Sequence, residues 1–320
     1  MIMSNQIENS IFDSFYETSL KHGNLEFPVA VYNITLSEMA MNVIRWHWHD
    51  EIEMLYLIEG TMKVLVDNTC FKLKEGQGIF INQNVLHSMN IMDNSDAVFK
   101  SVVFHPSFMF GYGRTVMSVK FLTPLVENRS MKYLLFDSDS YLMKLLIESI
   151  TLLNEKKSGY ELLCKSNLCK MWYLLLQISN TTIPKGTKTK NIANDELRIK
   201  EAILYIESHY TEEISLDDIA ESIHISKSEC CRCFKRVLHL TPFEYLIKYR
   251  IYSATKAIQR ADSNATSIGT LATSVGFSNI SYFNKVFKNY LGLTPTEYKK
   301  KQKLYISPDE EVLDMTMFRN

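Results

Sequence analysis

Residues 214–245, ISLDDIAESIHISKSECCRCFKRVLHLTPFEY, and residues 266–298, TSIGTLATSVGFSNISYFNKVFKNYLGLTPTEY, are two versions of one unit. At an offset of 52, Ser215 meets Ser267, Ala220 meets Ala272, Ile223 meets Val275 and Ser226 meets Ser278. After one inserted residue the offset is 53, and Phe234-Lys235 meets Phe287-Lys288, Thr241-Pro242 meets Thr294-Pro295, and Tyr245 meets Tyr298. Each copy carries the same punctuation. A Ser caps a short helix, and a small Ala sits where two helices approach closely. A turn follows, at Gly276 in the second copy, where a glycine can take the left-handed conformation that ends a helix. A second Ser then caps the next helix, and Ser226-Lys227-Ser228-Glu229 has the spacing of a capping box. Ile225, Phe234, Phe277, Phe283 and Phe287 are placed to fill the core between the helices. Each copy closes on Thr-Pro-x-Glu, an N-cap with Pro at the first helical position and Glu two residues later. Helix, tight turn and capped second helix make a helix-turn-helix, here in tandem.

In such a unit the second helix enters a major groove of DNA and its exposed N-terminal residues read bases. These are Lys227, Ser228, Cys231 and Arg232 in the first copy, and Asn279, Ile280, Ser281, Asn284 and Lys285 in the second. Lys235, Arg236 and Lys288 are placed for phosphates. Residues 242–260 read as one long helix that fixes the separation of the units. A separation of about 34 Å lets one chain read two successive major grooves. Charge agrees in direction. Lys and Arg number 15 against 19 Asp and Glu over residues 1–184, 19 against 13 over 185–303, and 1 against 4 in the last 17 residues. An acidic front and a basic back fit a nucleic-acid partner for the back.

On these residues, and on GFSNISYFNKVFKNYLGLTPTEY above all, segment 195–303 resembles the DNA-binding domain of the AraC/XylS family of transcription regulators. The resemblance implies a non-enzymatic regulator, and cysteines without a disulfide framework lead to the expectation of a cytoplasmic one. Its expected partners are operator DNA, a small-molecule effector, RNA polymerase and a second copy of the chain. Two positions depart from the pattern. His224 stands at the turn of the first copy, and Lys285 stands where the family often has Arg, which weakens bidentate guanine readout there.

The front half has another character. Residues 29–105 hold short segments rich in Val, Ile, Phe and Tyr (VAVY, MNVIRWHW, EMLYLIEG, MKVLV, FKL, GIFI and AVFKSVVFH), broken at Gly60, Asp67-Asn68, Gly76–Gly78 and Asp93-Asn94. Many short strands at regular spacing predict an antiparallel β-barrel or jelly roll. Within it, His47 and His49 lie two apart, so a strand would turn both to one face. Glu53 follows, Gly60 comes later, and His87 arrives after GQGIFINQN. His-x-His-x3-Glu-x6-Gly with a distant His resembles the two motifs of the cupin barrel, in which three His and one Glu can hold Mn, Fe, Ni or Zn. The second motif departs from the pattern, with Asn82 and Asn84 at the usual Pro and Gly positions. Three readings stand open: an effector pocket lined by Trp46 or Trp48, His47, His49, Glu53, Tyr56 and His87; a divalent metal on His47, His49, Glu53 and His87; or satisfied polar residues in a barrel mouth.

Residues 139–180 change to a helical period. Leu142, Leu145, Leu146, Ile150 and Leu153 form one stripe, and Leu168, Met171, Leu175 and Ile178 another. The pair either covers the barrel or forms a dimerisation face. Residues 181–194 have linker composition, and 304–320 form an acidic tail. The expected architecture is therefore α+β and multidomain: a cupin-like sensor (1–138) with flanking helices, then an all-α tandem helix-turn-helix domain (195–303). With 46% hydrophobic and 22% charged residues, the composition is that of an ordinary globular protein. No apolar run is long enough for a membrane helix, and no signal peptide is apparent. The six cysteines show no disulfide framework. Cys230, Cys231 and Cys233 with His239 could suggest zinc, but Cys230 and Cys233 fall at core positions of a helix. The competing function is a metal-dependent cupin enzyme with an appended DNA-binding domain.

Overall fold

In the computed structural model, residues 22–23, 26–92, 96–111, 115–128, 131–182, 190–260 and 267–306 are described. The chain divides into two compact units, residues 1–197 with 236–238, and residues 198–235 with 239–320.

The first unit holds eight antiparallel strands: β1 (Val29–Thr35), β2 (Val43–His47), β3 (Ile52–Val66), β4 (Thr69–Lys74), β5 (Gly78–Ile81), β6 (His87–Ile91), β7 (Ala97–Phe104) and β8 (Tyr133–Phe136). The long β3 belongs to two layers. Its first half pairs with β5 and β7 in the order β1-β7-β3-β5-β8, and its second half pairs with β4 and β6, which carries β2. Among the described residues the ladder does not close, so the expected barrel is an open double sheet of jelly-roll character. The expected break at Gly60 instead lies inside one continuous 15-residue strand, paired with Ala97 just past a bulge between Leu57 and Glu59. Gly60 has φ +85°, and a Cβ there would sit 1.9 Å from the Asp96 carbonyl oxygen, so only glycine lets β7 pass so close.

Alternation along the strands sorts two cores. Leu55, Leu57, Ile79, Ile81, Phe99 and Val103 point between the layers. Ile52, Met54, Phe80, Val102 and Phe104 point the other way, onto helices α1 (Tyr141–Glu155) and α2 (Tyr160–Thr182). Both predicted helical stripes pack there, through Leu142, Leu145, Leu146, Ile150 and Leu153 of α1 and Leu168, Met171 and Leu175 of α2, with Ile178 half-buried at the edge. Ser140 caps α1 by accepting from the Met143 N–H at 3.1 Å. Cys164 is buried in this core and Cys169 is exposed.

Helix α3 (Lys190–His209) begins inside the stretch expected to be a linker, of which residues 183–189 lie outside the described residues. The helices that follow it are α4 (Leu216–Ser222), α5 (Lys227–Leu238), α6 (Pro242–Arg260), α7 (Ile268–Ser274), α8 (Ile280–Leu291) and α9 (Pro295–Ile306). The expected acidic tail coincides with α9 up to Ile306, and its remainder lies outside the described residues.

Candidate nucleic-acid interface and histidine cluster

Each repeat folds as helix, turn and helix, α4 with α5 and α7 with α8. Ser215 forms a full capping box with Asp218, and Ser267 accepts from the Thr270 N–H at 3.0 Å. Ser226 caps α5 through the Glu229 N–H, while the Glu229 carboxylate also takes Arg232. In the second copy the expected cap Ser278 gives way to Asn279, whose side chain accepts from the Tyr282 N–H at 2.9 Å. The inserted residue between the copies therefore lies just before the cap. Phe234, Phe277, Phe283 and Phe287 are buried, Ile225 is half-buried, and Ala220 and Ala272 sit buried at the close approaches. Phe283 stacks edge-on with Phe287 at 5.5 Å between ring centres.

Gly276 has φ +86°, and a Cβ there would meet the Tyr210 carbonyl oxygen at 2.3 Å and the Arg250 guanidinium at 2.8 Å. That guanidinium, reaching from α6, donates to the carbonyl oxygens of Tyr210 at 2.7 Å and Glu212 at 2.6 Å. His224, at the same turn of the first copy, takes the left-handed conformation as well, with φ +55°.

The reading helices differ in what they offer. On α5, Lys227, Ser228 and Arg232 are exposed and Cys231 is half-buried. Arg232 is held along the helix by Glu229 at 2.8 Å and Ser228 at 2.8 Å, and Lys227 pairs with Asp217 at 2.7 Å. On α8, Ile280, Ser281 and Lys285 are exposed, whereas Asn284 is half-buried and Asn279 is engaged as the cap. Tyr282, absent from the sequence expectation, is 51% exposed on this helix. Among the phosphate candidates, Lys288 is exposed and Lys235 lies 3.5 Å from Glu244. Arg236 instead donates twice to Asp195, at 3.0 and 2.8 Å. Cys230 and Cys233 are fully buried in the helical core, which accounts for them without zinc.

In the first unit, His47, His49, Glu53 and His87 come together, their donor atoms all within 4.8 Å of one another. Period-two alternation sends Glu53 inward with Leu55 and Leu57. It sends Tyr56, three residues on, to the opposite face, where it packs on the helix-side core, so Tyr56 leaves the expected pocket. The strand expected to carry both histidines ends at His47; His49 lies in the reversal between β2 and β3, where its carbonyl accepts from the Asn84 N–H at 2.7 Å. Asn84 takes φ +57°, the conformation its position requires and one that Asn tolerates better than most residues. Asn82 is buried and ties the sheet to Leu125 and Met131. Trp46 is buried and Trp48 half-buried.

The hydrogen bonds of the cluster follow one rule. Nδ1 of His47 faces the Arg45 carbonyl at 2.8 Å, that of His49 the Glu51 carbonyl at 3.1 Å, and that of His87 the Val85 carbonyl at 2.7 Å. A carbonyl only accepts, so each Nδ1 carries a proton, and Nε2 is the ring atom left to face the cluster. Glu53 Oε2 lies 3.2 Å from Nε2 of His87 and 3.5 Å from that of His49, and Oε1 accepts from the Ser101 hydroxyl at 2.7 Å. Burial, reinforced by His87 and His49, pushes the His47 imidazole well below its ordinary value. Burial alone would raise the Glu53 carboxyl, but hydrogen bonds with His49 and His87 outweigh it and hold the group well below the usual carboxylate range. Three imidazoles converging on a buried carboxylate form a donor set that could hold a metal ion. The spacing motif did not include His22 or Glu51. His22 is buried against His49, with ring centres 5.2 Å apart. Burial first, then His49, lowers its imidazole to about 3.

A family model described as an AraC-like ligand binding domain matches residues 34–170, and one described as a helix-turn-helix domain matches residues 219–301. An uncharacterized HTH-type transcriptional regulator of Bacillus subtilis, YdeC, is 29% identical over 92% of this chain and 99% of its own length. Another, from the cgkA 5′ region of Pseudoalteromonas carrageenovora, is 30% identical over 39% of this chain and 72% of its own. Among solved structures, ToxT of Vibrio cholerae O395 aligns with a TM-score of 0.42 at 15% identity, covering 87% of this chain and 98% of that one. Among the described residues, no helix is long and apolar enough to cross a membrane.

Proposed function

The chain belongs to the AraC family of transcription regulators, and from that premise we propose that one chain reads two successive major grooves with α5 and α8 while its front unit holds a small effector beside a divalent metal. The observation that carries the DNA reading is the repetition itself: two capped second helices, each with an exposed polar N-terminal face. Helix α6, at 19 residues roughly 28 Å long, is of suitable length to space them one helical turn of DNA apart. Base reading falls to Lys227, Ser228, Cys231 and Arg232 on α5, and to Ile280, Ser281, Tyr282 and Lys285 on α8. Lys235 and Lys288 suit phosphates. Arg236 serves there only if it leaves Asp195. The test is titration of an asymmetric duplex of about 20 base pairs at several salt concentrations. Affinity should fall steeply with salt, as phosphate contacts demand, and a flat response would oppose the reading.

For the metal, the support is the pattern at the cluster. Three imidazoles have Nδ1 committed to carbonyls, and their Nε2 atoms converge with a carboxylate in a buried space. His47, His49, Glu53 and His87 would hold the ion, which would supply a fixed positive charge for an acidic or oxygen-bearing effector. Control then requires the effector to bind one state of the regulator more tightly than another. In this reading the front unit is a sensor and not a catalyst, and the protein works in the cytoplasm. We assign a second copy to the outer face of α1 and α2, where Tyr141, Leu162, Leu163 and Tyr173 are exposed.

A further inference from the structure

The two repeats are joined twice. Helix α6 runs between them, and a second joint closes directly across them at Arg250. Tyr210 and Glu212 lie in the chain between α3 and α4, just before the first repeat, while Gly276 and Phe277 lie in the turn between α7 and α8 of the second. Arg250, on α6, is only 9% exposed. Its Nε donates to the Tyr210 carbonyl at 2.7 Å, and a terminal nitrogen donates to the Glu212 carbonyl at 2.6 Å. The same guanidinium lies over the Phe277 ring, 5.8 Å from its centre. Phe277 in turn meets Phe283 of α8, with ring centres 5.0 Å apart. The backbones also touch here, since the place a Cβ of Gly276 would take is 2.3 Å from the Tyr210 carbonyl oxygen.

We infer that Arg250 fixes the orientation of the two reading helices against each other. It is a positioning residue for DNA recognition, acting through Phe277 and the chain before α4 and not through a base. This rests on the reading in which α5 and α8 take successive major grooves. Helix α6 alone sets a distance but leaves each repeat free to turn about its end. A planar guanidinium with two bonds to carbonyls and one ring face defines an orientation, which the point charge of a lysine does not. A pair of reading helices locked in this way tolerates one spacing of half-sites. Each base pair added between them moves the far half-site by about 3.4 Å and turns it by about 35°.

The probe is a duplex selected from a random library by the full chain, resynthesised with one or two base pairs added or removed between its two constrained blocks. The wild type should lose about 10–100-fold in affinity on such a change, the scale of one or two mismatched base pairs. Arg250→Met removes both bonds, and Arg250→Lys keeps the charge without the fork. Each variant, once melting shows it folded, should bind the selected duplex more weakly yet lose less than about fivefold on the altered ones. Arg250→Lys, the milder change, carries the test alone if Arg250→Met does not fold. Variants that fall by the same factor at every spacing would overturn the positioning role and leave the arginine a stabilising residue only. A wild type indifferent to spacing would overturn it as well. Selection of one block in place of two would instead overturn the two-groove reading on which it rests.

Discussion

Arg232 shows how much of a reading residue's behaviour is set before DNA arrives. Glu229 and Ser228 hold its guanidinium against α5, both at 2.8 Å, so the side chain is pre-oriented on the exposed face. A guanidinium so placed can make two parallel bonds to guanine. Arg232→Ala should weaken operator binding by about 1–3 kcal/mol and relax discrimination at one base pair. Lys288→Ala should weaken all sequences about equally and reduce the salt slope by about one. Competition binding on a set of singly substituted duplexes distinguishes the two; identical profiles for both variants would contradict the assignment. In the front unit, His47→Ala should release metal that the wild type retains through gel filtration, as metal analysis would show. A metal-free wild type whose melting is insensitive to chelator would oppose the site. His47, His49, Glu53 and His87 were legible in the sequence because a spacing pattern links them. His22 was not, because no spacing links a residue before β1 to a reversal after β2; only the fold brings them together.

At the scale of elements, the two repeats differ at their turns. Both turn residues are left-handed, but Gly276 does so without strain and His224 bears a Cβ in that region. His224→Gly should therefore cost nothing and can stabilise the domain, by up to about 1 kcal/mol, less the entropy glycine loses on folding. Gly276→Ala should destabilise by more than about 2 kcal/mol, since a methyl group must displace both the Tyr210 carbonyl and Arg250. Thermal or urea unfolding of the two variants checks the asymmetry, and equal effects of the same sign would deny it. Turns and caps were readable because Gly, Ser, Thr-Pro and Glu act locally. The cap of α8 fell one residue beyond the expected Ser278, since Ser and Asn cap about equally well and only the geometry selects between them. Strand β6, HSMNI, escaped notice because it lacks an apolar alternation; it is a strand because β2 and β3 flank it. Gly60 looked like a turn because a glycine inside a strand, needed there for a positive φ and a close approach, carries the same local signal as a glycine in a turn.

For the whole molecule, the fold class follows from two periodicities, two in the front and 3.6 in the back, and the comparisons agree with it. Whether the sheet closes was not legible, since closure depends on pairing between distant edges. The central claim is that one chain reads two unlike half-sites. Selection of bound duplexes from a random library with the full chain tests it most directly. Two different blocks of constrained bases, about 10 base pairs apart, should emerge, and Arg232→Ala should erode one block while leaving the other. A single constrained block, or two blocks that Arg232→Ala leaves equally intact, would contradict the account.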